Sequence, residues 1–496
     1  MPKIIVNGNV YTAPIGSCLY SWTQQAGLTF PCGGHGICGK CRVVVDGDVS
    51  PITDTERRLL SDAAIRKGVR LACLTYVAGD CTVQLESADN PRICTDGEAA
   101  LKAATPRFTC YGVAVDIGTT TLAGRLYNRQ GVCLAQAGVV NPQVRFGADV
   151  LTRAEAAIND SDALADAVRS GIRSLVEELT SSIGIQASEV DGLVITGNTI
   201  MLCLLTDTSV ANCVRAPFRS DCLFGEEIPT SACGLADVVC AKTVYIPRCA
   251  DTFLGADLIC AVLAVGLCVM PRTAILADIG TNGEMALWHN ERLYLCSTAA
   301  GPAFEGVGIS CGMTASDGAI DKVQILNGNL FPHIIGNGKA VGVCGTGLID
   351  AAACLLNLGE MEHNGNMAED YPLAEAVSLS QGDVRALQVS KSAICSGIET
   401  LLHVAGIGAS DVDAFYVAGG FGTALNTVNA ERIGLYPRPL SSRLKSVGNA
   451  ALDGAACYLL NADTDGVLDP PLRDAIRVDL ATDTFFADAF LRNMNF

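Results

Sequence analysis

Four cysteines near the N-terminus, Cys32, Cys38, Cys41 and Cys73, run in the order C-x5-C-x2-C-x31-C, and this spacing narrows what the segment can become. The first three lie in PCGGHGICGKC, where Gly33, Gly34, Gly36 and Gly39 let the backbone bend tightly enough to aim several thiolates at one point. Three thiolates from a tight loop and a fourth from a distant residue form the donor set of an iron-sulfur cluster. Zinc sites usually pair two short C-x2-4-C or H-x3-5-H units, and Cys38/Cys41 is the only C-x2-C in the chain. His35 sits inside the loop with no second histidine nearby. A Rieske centre needs two on one iron, so His35 is expected beside the cluster or in solvent.

This spacing resembles that of plant-type ferredoxins, C-x4-C-x2-C with a distant fourth cysteine, with one extra residue in the first gap. The resemblance implies a 2Fe-2S cluster held by Cys32, Cys38, Cys41 and Cys73. The flanking sequence agrees. KIIVNGNVY alternates and turns at Asn7-Gly8 as a hairpin does, Val43, Val44 and Val45 before Asp46-Gly47 read as a short strand, and CTVQLES reads as another. A β-rich ferredoxin-like domain is expected over residues 1–86.

A chain of 496 residues has room for two to four domains. Its net charge of −18 argues against nucleic acid as a partner. It has 23 cysteines, and its start, MPKIIVNGNVY, lacks the charged-then-apolar pattern of a secretory leader. A reducing cytoplasm and an oxygen-poor life are therefore expected rather than disulfides. Isolated cysteines such as Cys260, Cys268 and Cys354 read as small buried hydrophobes. The longest apolar run, Leu258 to Met270, is too short to cross a bilayer and is bracketed by Asp257 and Pro271, so a buried helix and no membrane contact are predicted. Residues 87–110 contain two prolines, mixed charge and little periodicity, which marks a linker with a flexible reach of about 25 Å. Leu101 and Phe108 are its candidates for packing on the next domain.

Beyond residue 110 one motif occurs twice. VAVDIGTTTLAGRLYN and AILADIGTNGEMALWH each place an Asp-Ile-Gly-Thr turn between two apolar strands. Such a hairpin presents N–H groups and hydroxyls to an oxyanion, here from Gly118, Thr119, Thr120 and Thr121 and from Gly280, Thr281, Asn282 and Gly283. Asp116 and Asp278 are expected to face the same gap and hold magnesium through water. Two facing hairpins make a phosphate clamp.

Five ordered segments, DIGTTT, GLVITGNTIM, DIGTNGE, YVAGGFG and SVGNAALDGAAC, resemble the phosphate-1, connect-1, phosphate-2, adenosine and connect-2 segments of the acetate and sugar kinase, heat-shock chaperone and actin superfamily. The resemblance implies an α/β fold, a two-lobed actin-like ATPase with a ribonuclease H-like duplication over residues 111–496, its lobes at about 111–273 and 274–496. It places Gly419 and Gly420 against the adenosine of ATP, and Gly197 and Gly448 at the hinge between lobes. GVCGTGLID, with Gly345, Thr346 and Gly347, and AAGPAFEG are further glycine-rich loops that either cradle nucleotide or mark tight packing.

A narrower resemblance spans nearly the whole chain. The ferredoxin-like domain joined to this ATPase, with NPQVRFGADVLTR, GPAFEG, QGDVRALQVSKSAI and AGGFG, is similar to the reductive activators of corrinoid-dependent enzymes. The family implies ATP-dependent return of an oxidised corrinoid from Co(II) to Co(I), a corrinoid protein of a methyltransferase system as partner and an external low-potential electron donor. A homodimer is left open. The ATPase lobes start so soon after the ferredoxin domain that an extra middle domain carried by some members is expected to be missing. Cysteine motifs for further clusters, found C-terminally in another branch, are absent after Cys457. Competing readings are a small-molecule kinase with a redox-sensing domain and an ATP-gated donor to a non-corrinoid enzyme. Periodicity predicts helices at 148–158, 162–183, 388–404 and 449–460.

Overall fold

The structure is a computed structural model and describes residues 1–496 except 29, 31, 37, 61, 86–103, 148, 270, 271, 337 and 421–423. The N-terminal sheet comprises β1 (Lys3–Val6), β2 (Asn9–Thr12), β3 (Arg42–Val49), β4 (Val69–Leu71) and β5 (Val77–Leu85), in the order β2-β1-β5-β3-β4. Asn7 and Gly8 both take positive φ, 47° and 85°, the mirror-image turn whose twist suits a tight hairpin. Strand alternation points Ile4, Val6, Val43, Leu71 and Val83 into one core with Leu19 and Phe30. The short strand expected at Val43–Val45 is longer in fact. β3 runs on through Asp46-Gly47, where Gly47 (φ 114°) forms a bulge against β5 instead of a turn. β5 likewise starts at Val77, ahead of the expected Cys81.

Most of the expected linker, 87–103, and with it Leu101, lies outside the described residues. Its end does not hang free. Ala104 N–H donates to Asn461 Oδ1 at 2.9 Å, Arg107 N–H to Leu459 O at 2.9 Å, and Phe108 is 4% exposed.

Two six-stranded sheets follow. The first contains β6 (Tyr111–Ile117), β7 (Thr121–Asn128), β8 (Cys133–Val140), β9 (Val190–Gly197), β10 (Glu226–Pro229) and β11 (Thr243–Ile246), in the order β10-β11-β9-β6-β7-β8. The second centres on β12 (Ala274–Ile279), β13 (Gly283–His289) and β14 (Arg292–Thr298). In each, the strand carrying Asp-Ile-Gly-Thr pairs antiparallel with its hairpin partner, which pairs antiparallel with a third strand, and parallel on its other side with a later strand. That later strand is β9 in the first sheet and Ala414–Ala418 in the second. The shared order and polarity of these four strands in both sheets is the ribonuclease H-like duplication of a two-lobed actin-like fold, which follows the ferredoxin-like domain.

Helices Ala256–Ala264 and Ala450–Leu460 pack against each other between the two sheets. The contact depends on Gly454, where a Cβ would lie 2.0 Å from Cys260 O. The apolar run expected as one helix to Met270 instead stops at Ala264, because Gly266 turns the chain at φ 63° into a short 3-10 segment, Leu267–Val269. Helices Val150–Asn159 and Ser161–Ser181 fall near their expected places. The helix expected from Gln388 begins at Gln381, because Ser380 and Asp383 form a capping box ahead of the apolar pattern. Among the described residues no helix is long and apolar enough to cross a membrane.

Candidate functional site

The cluster loop brings the four predicted cysteines together as two pairs. Cys41 Sγ and Cys73 Sγ are 3.2 Å apart, about half an ångström short of the edge of a tetrahedron with metal–sulfur bonds of about 2.3 Å. Cys38 hydrogen-bonds Cys32, which together with burial pushes the Cys38 thiol up. The bond from Cys73 draws the Cys41 thiol down, while Cys73 itself is pushed up by that bond, by burial and by the potentials of Cys41, Cys32 and Cys38. The four thiols thus lie near enough to act on one another, although among the described residues no three of them form a closed metal-binding group. Two pairs suit two irons with two thiolates each, the donor set of a 2Fe-2S cluster. Gly34 and Gly36, both at positive φ, let the loop close, since a Cβ on either would lie 2.8 Å from Tyr20 or Leu74. His35 is exposed, and Cys81 lies in β5, where the charges acting on it are Asp80 and Asp48 rather than the cluster cysteines.

A cleft of about 350 Å³ opens between the lobes. Of the predicted residues it is lined by Asp116, Gly118, Thr119, Thr120 and Thr121 from the first hairpin, and by Asp278, Gly280, Thr281 and Asn282 from the second. Gly345, Thr346, Gly419 and Gly420 complete the wall. Two predicted residues face elsewhere. A Cβ on Gly283 would meet Ile394 Cδ1 at 2.3 Å, and one on Gly347 would meet Ile320 O at 2.1 Å, so both are packing glycines. The expected hinge glycines join the same region: Gly419 N–H donates to Gly448 O at 2.9 Å, and Gly197 pairs with Ile117 at the end of β9. The first bend is braced by Asn141, whose side chain donates to Gly118 O at 2.8 Å and whose N–H donates to Thr120 O at 2.9 Å.

Carboxylates converge on the cleft floor, and sequence reasoning found only two of them. Burial pushes Asp116 up to about 7, opposed by the Asn449 amide and reinforced by Asp278. Burial and the Asp116 charge push Asp257 up to about 7, and burial pushes Asp278 up to about 6. Glu284 is driven well above the usual carboxylate range by burial and by Asp257, and accepts from Asn198 Nδ2 at 3.2 Å. Anions crowded this way favour a cation among them. Among the described residues no three such side chains form a ready metal cage. Magnesium suits that arrangement, since it keeps several waters and takes one or two carboxylates plus substrate phosphates. Asp257, Glu284, Asn198 and Asn449 escaped the sequence because tertiary packing assembles them, although Glu284 stands inside DIGTNGE and Asn449 inside SVGNAALDGAAC. Glu305, from GPAFEG, also lines the cleft.

Residues 6–78 match the model of a 2Fe-2S iron-sulfur cluster binding domain, and residues 272–496 match that of the C-terminal, ASKHA domain of RACo. The corrinoid activation enzyme RamQ of Eubacterium limosum is 30% identical over 419 residues, covering 78% of this chain and 70% of that protein. The chain belongs to the corrinoid activation enzyme family. A second relative in that family, the Co(II) methylated amine-specific corrinoid protein reductase of Methanosarcina barkeri, is 26% identical over 69% of this chain and 68% of its own. A solved reductive activator for corrinoid, iron-sulfur protein superposes with a TM-score of 0.71 at 25% identity, covering 100% of this chain and 98% of that one. Residues 111–269, the first lobe, match the model described as the RACo middle region.

Proposed function

We propose that this chain uses ATP to drive one-electron reduction of the Co(II) corrinoid of a methyltransferase-type protein to the methyl-accepting Co(I) state. The observation that carries the reading is one chain joining a two-by-two thiolate set to a two-lobed phosphate clamp. A 2Fe-2S cluster bound by Cys32, Cys38, Cys41 and Cys73 supplies the single electron, at about −400 mV for the plant type. A more reducing acceptor costs about tenfold in equilibrium for each 59 mV.

The protein residues supply the offset. The hairpin bends at Gly118–Thr121 and Gly280–Asn282 bind phosphate oxygens from opposite lobes, Asp116 and Asp278 hold magnesium through water, and Gly419 and Gly420 line the adenosine side. Phosphate held between lobes favours one lobe arrangement and hence one docked complex with the corrinoid partner. An external low-potential donor restores the electron for the next turnover. Methyl transfer downstream consumes Co(I) and keeps the reduction moving forward.

The test mixes purified protein, a low-potential reductant, Mg-ATP and candidate corrinoid proteins, and follows cobalt by absorbance. Co(I) is expected only with protein and ATP together. Equal Co(I) yield without ATP, or stoichiometric phosphorylation of a small molecule, overturns the reading.

A further inference from the structure

Glu305 ends the short 3-10 turn Pro302–Glu305 and reaches into the cleft. Its Oε2 accepts from Thr120 Oγ1 at 2.8 Å and its Oε1 accepts from Thr281 Oγ1 at 2.7 Å. Thr120 belongs to the first phosphate hairpin and Thr281 to the second, so one carboxylate is held by a hydroxyl from each lobe. An oxyanion bridging the two bends is also how the clamp receives a terminal phosphate. The two anions need the same donors, and like charges so close repel.

The chain beyond Glu305 links this carboxylate to the cluster loop. Gly306, at φ 75°, and Gly312 close residues 306–313 into a tight loop: a Cβ on Gly306 would lie 2.6 Å from Met313 N, and one on Gly312 would lie 2.3 Å from Gly306 O. The neck makes the loop compact, and Ser310 N–H and Oγ, each donating to Asp383 at 2.6 Å, seat it on helix Gln381–Ala405. The far side of the loop carries the ferredoxin domain, since Gly312 O accepts from Lys40 Nζ and Ser310 O accepts from Arg42 Nη2 at 3.3 Å. Lys40 lies between the cluster cysteines Cys38 and Cys41. The first lobe holds the same domain through Gln24 Nε2, which donates to Arg145 O at 2.8 Å. From there Gly147 O accepts from Arg153 Nε at 2.9 Å, and Arg153 Nη2 donates to Thr119 O in the first bend. The ferredoxin domain thus spans both lobes, resting on backbone carbonyls of both through these hydrogen bonds.

We propose that Glu305 is the positioning residue that distinguishes ATP from ADP. The terminal phosphate competes with its carboxylate for Thr120 and Thr281, and the 306–313 loop passes the displacement to Lys40 and Arg42, loosening the cluster loop from the second lobe. ADP lacks the competing group and leaves Glu305 in place. The inference rests on the function proposed above only in taking ATP as the nucleotide. Coupling of this kind is reciprocal, so removing the carboxylate must tighten ATP binding selectively.

The experiment uses the full-length protein with its cluster, as wild type, Glu305→Gln and Glu305→Ala, and no corrinoid protein. Calorimetry gives the dissociation constants of ADP and a non-hydrolysable ATP analogue with magnesium. Glu305→Ala is expected to tighten the ATP analogue about fivefold or more while leaving ADP unchanged, with Glu305→Gln between. Hydrogen exchange gives a readout that does not depend on the variants: in the wild type, exchange at 38–42 and 306–313 rises with the ATP analogue and not with ADP. An unchanged or weakened ATP preference in both variants, or equal wild-type exchange under both nucleotides, overturns the proposal. Co(I) formation measured separately keeps the two ideas apart, since its loss with the nucleotide effect intact would sink the activator reading alone.

Discussion

Asn449 Nδ2 donates to Asp116 Oδ2 at 3.0 Å while Asn449 Oδ1 accepts from Leu452 N–H at 2.9 Å, so one side chain both caps helix Ala450–Leu460 and orients the carboxylate of the first hairpin. In the proposed function that carboxylate and Asp278 are the charges offered to magnesium. Replacing either by Asn keeps size and removes charge. Asp116→Asn and Asp278→Asn are each expected to fold normally and to lower magnesium-dependent ATP hydrolysis by about a hundredfold or more. Phosphate release assays against magnesium concentration check this. Wild-type rates in both variants place the metal elsewhere.

The paired thiolates give a sharper expectation than spacing alone. Cys32→Ala, Cys38→Ala, Cys41→Ala and Cys73→Ala should each lose or destabilise the cluster, because each leaves one iron with a single protein thiolate. Cys81→Ala should retain it, since Cys81 sits in β5 among Asp80 and Asp48. Iron and sulfide analysis with visible absorbance decides between them. A full cluster in Cys73→Ala is the result that sinks the assignment.

What was legible in the sequence is what is local along the chain. Cysteine spacing marks one tight loop, and each Asp-Ile-Gly-Thr bend presents its donors within a few residues. Turn chemistry likewise gave the Asn7-Gly8 hairpin. Gly47 shows the limit, because Asp-Gly reads as a turn until the neighbouring strand makes it a bulge. Gly283 and Gly347 looked like phosphate contacts, but what they meet, Ile394 and Ile320, is distant in sequence. Asp257 is brought beside Asp116 and Glu284 by the helix crossing between sheets, and Glu305 meets Thr120 across 185 positions of chain. No local pattern encodes such meetings.

Glu56 should be a stability anchor of the cluster domain. It is fully buried and accepts from Arg70 Nε at 2.8 Å, Arg70 Nη2 at 3.0 Å, Leu71 N–H at 3.1 Å and Thr53 N–H at 2.9 Å. Burial alone would raise its pKa, but the bonds from Arg70, Thr53 and Leu71 outweigh that and hold it below the usual value. A folded pKa below the unfolded one adds stability that is complete above about pH 4.3 and is lost as pH falls toward the folded value. Glu56→Gln leaves Arg70 charged and buried without its partner, at a cost of about 3–5 kcal/mol. Loss of cluster absorbance during denaturant titration measures it. The variant should also flatten the acid limb of stability, and an unchanged limb would show that another carboxylate governs it.

The crossing of helices Ala256–Ala264 and Ala450–Leu460 can be tested with a methyl group. At Gly454 a Cβ would lie 2.0 Å from Cys260 O, 2.3 Å from Cys260 C and 2.5 Å from Cys260 Cα, all backbone atoms that no rotamer change can move. Gly454→Ala must therefore push the helices apart, and overpacking of this kind costs about 1–3 kcal/mol or more. Because the two helices run between the sheets, the separation should also shift Asp257 and Asn449 relative to Asp116 and weaken ATP binding. Gly466 is the matched control: its Cβ would meet nothing within 4 Å, so Gly466→Ala should be neutral or stabilising by about 0.4–1 kcal/mol. Denaturation midpoints and nucleotide dissociation constants for the two variants are the measurement. Equal stability and equal affinity would mean that the crossing tolerates a wider spacing and that the close approach at Gly454 does not set the geometry of the cleft.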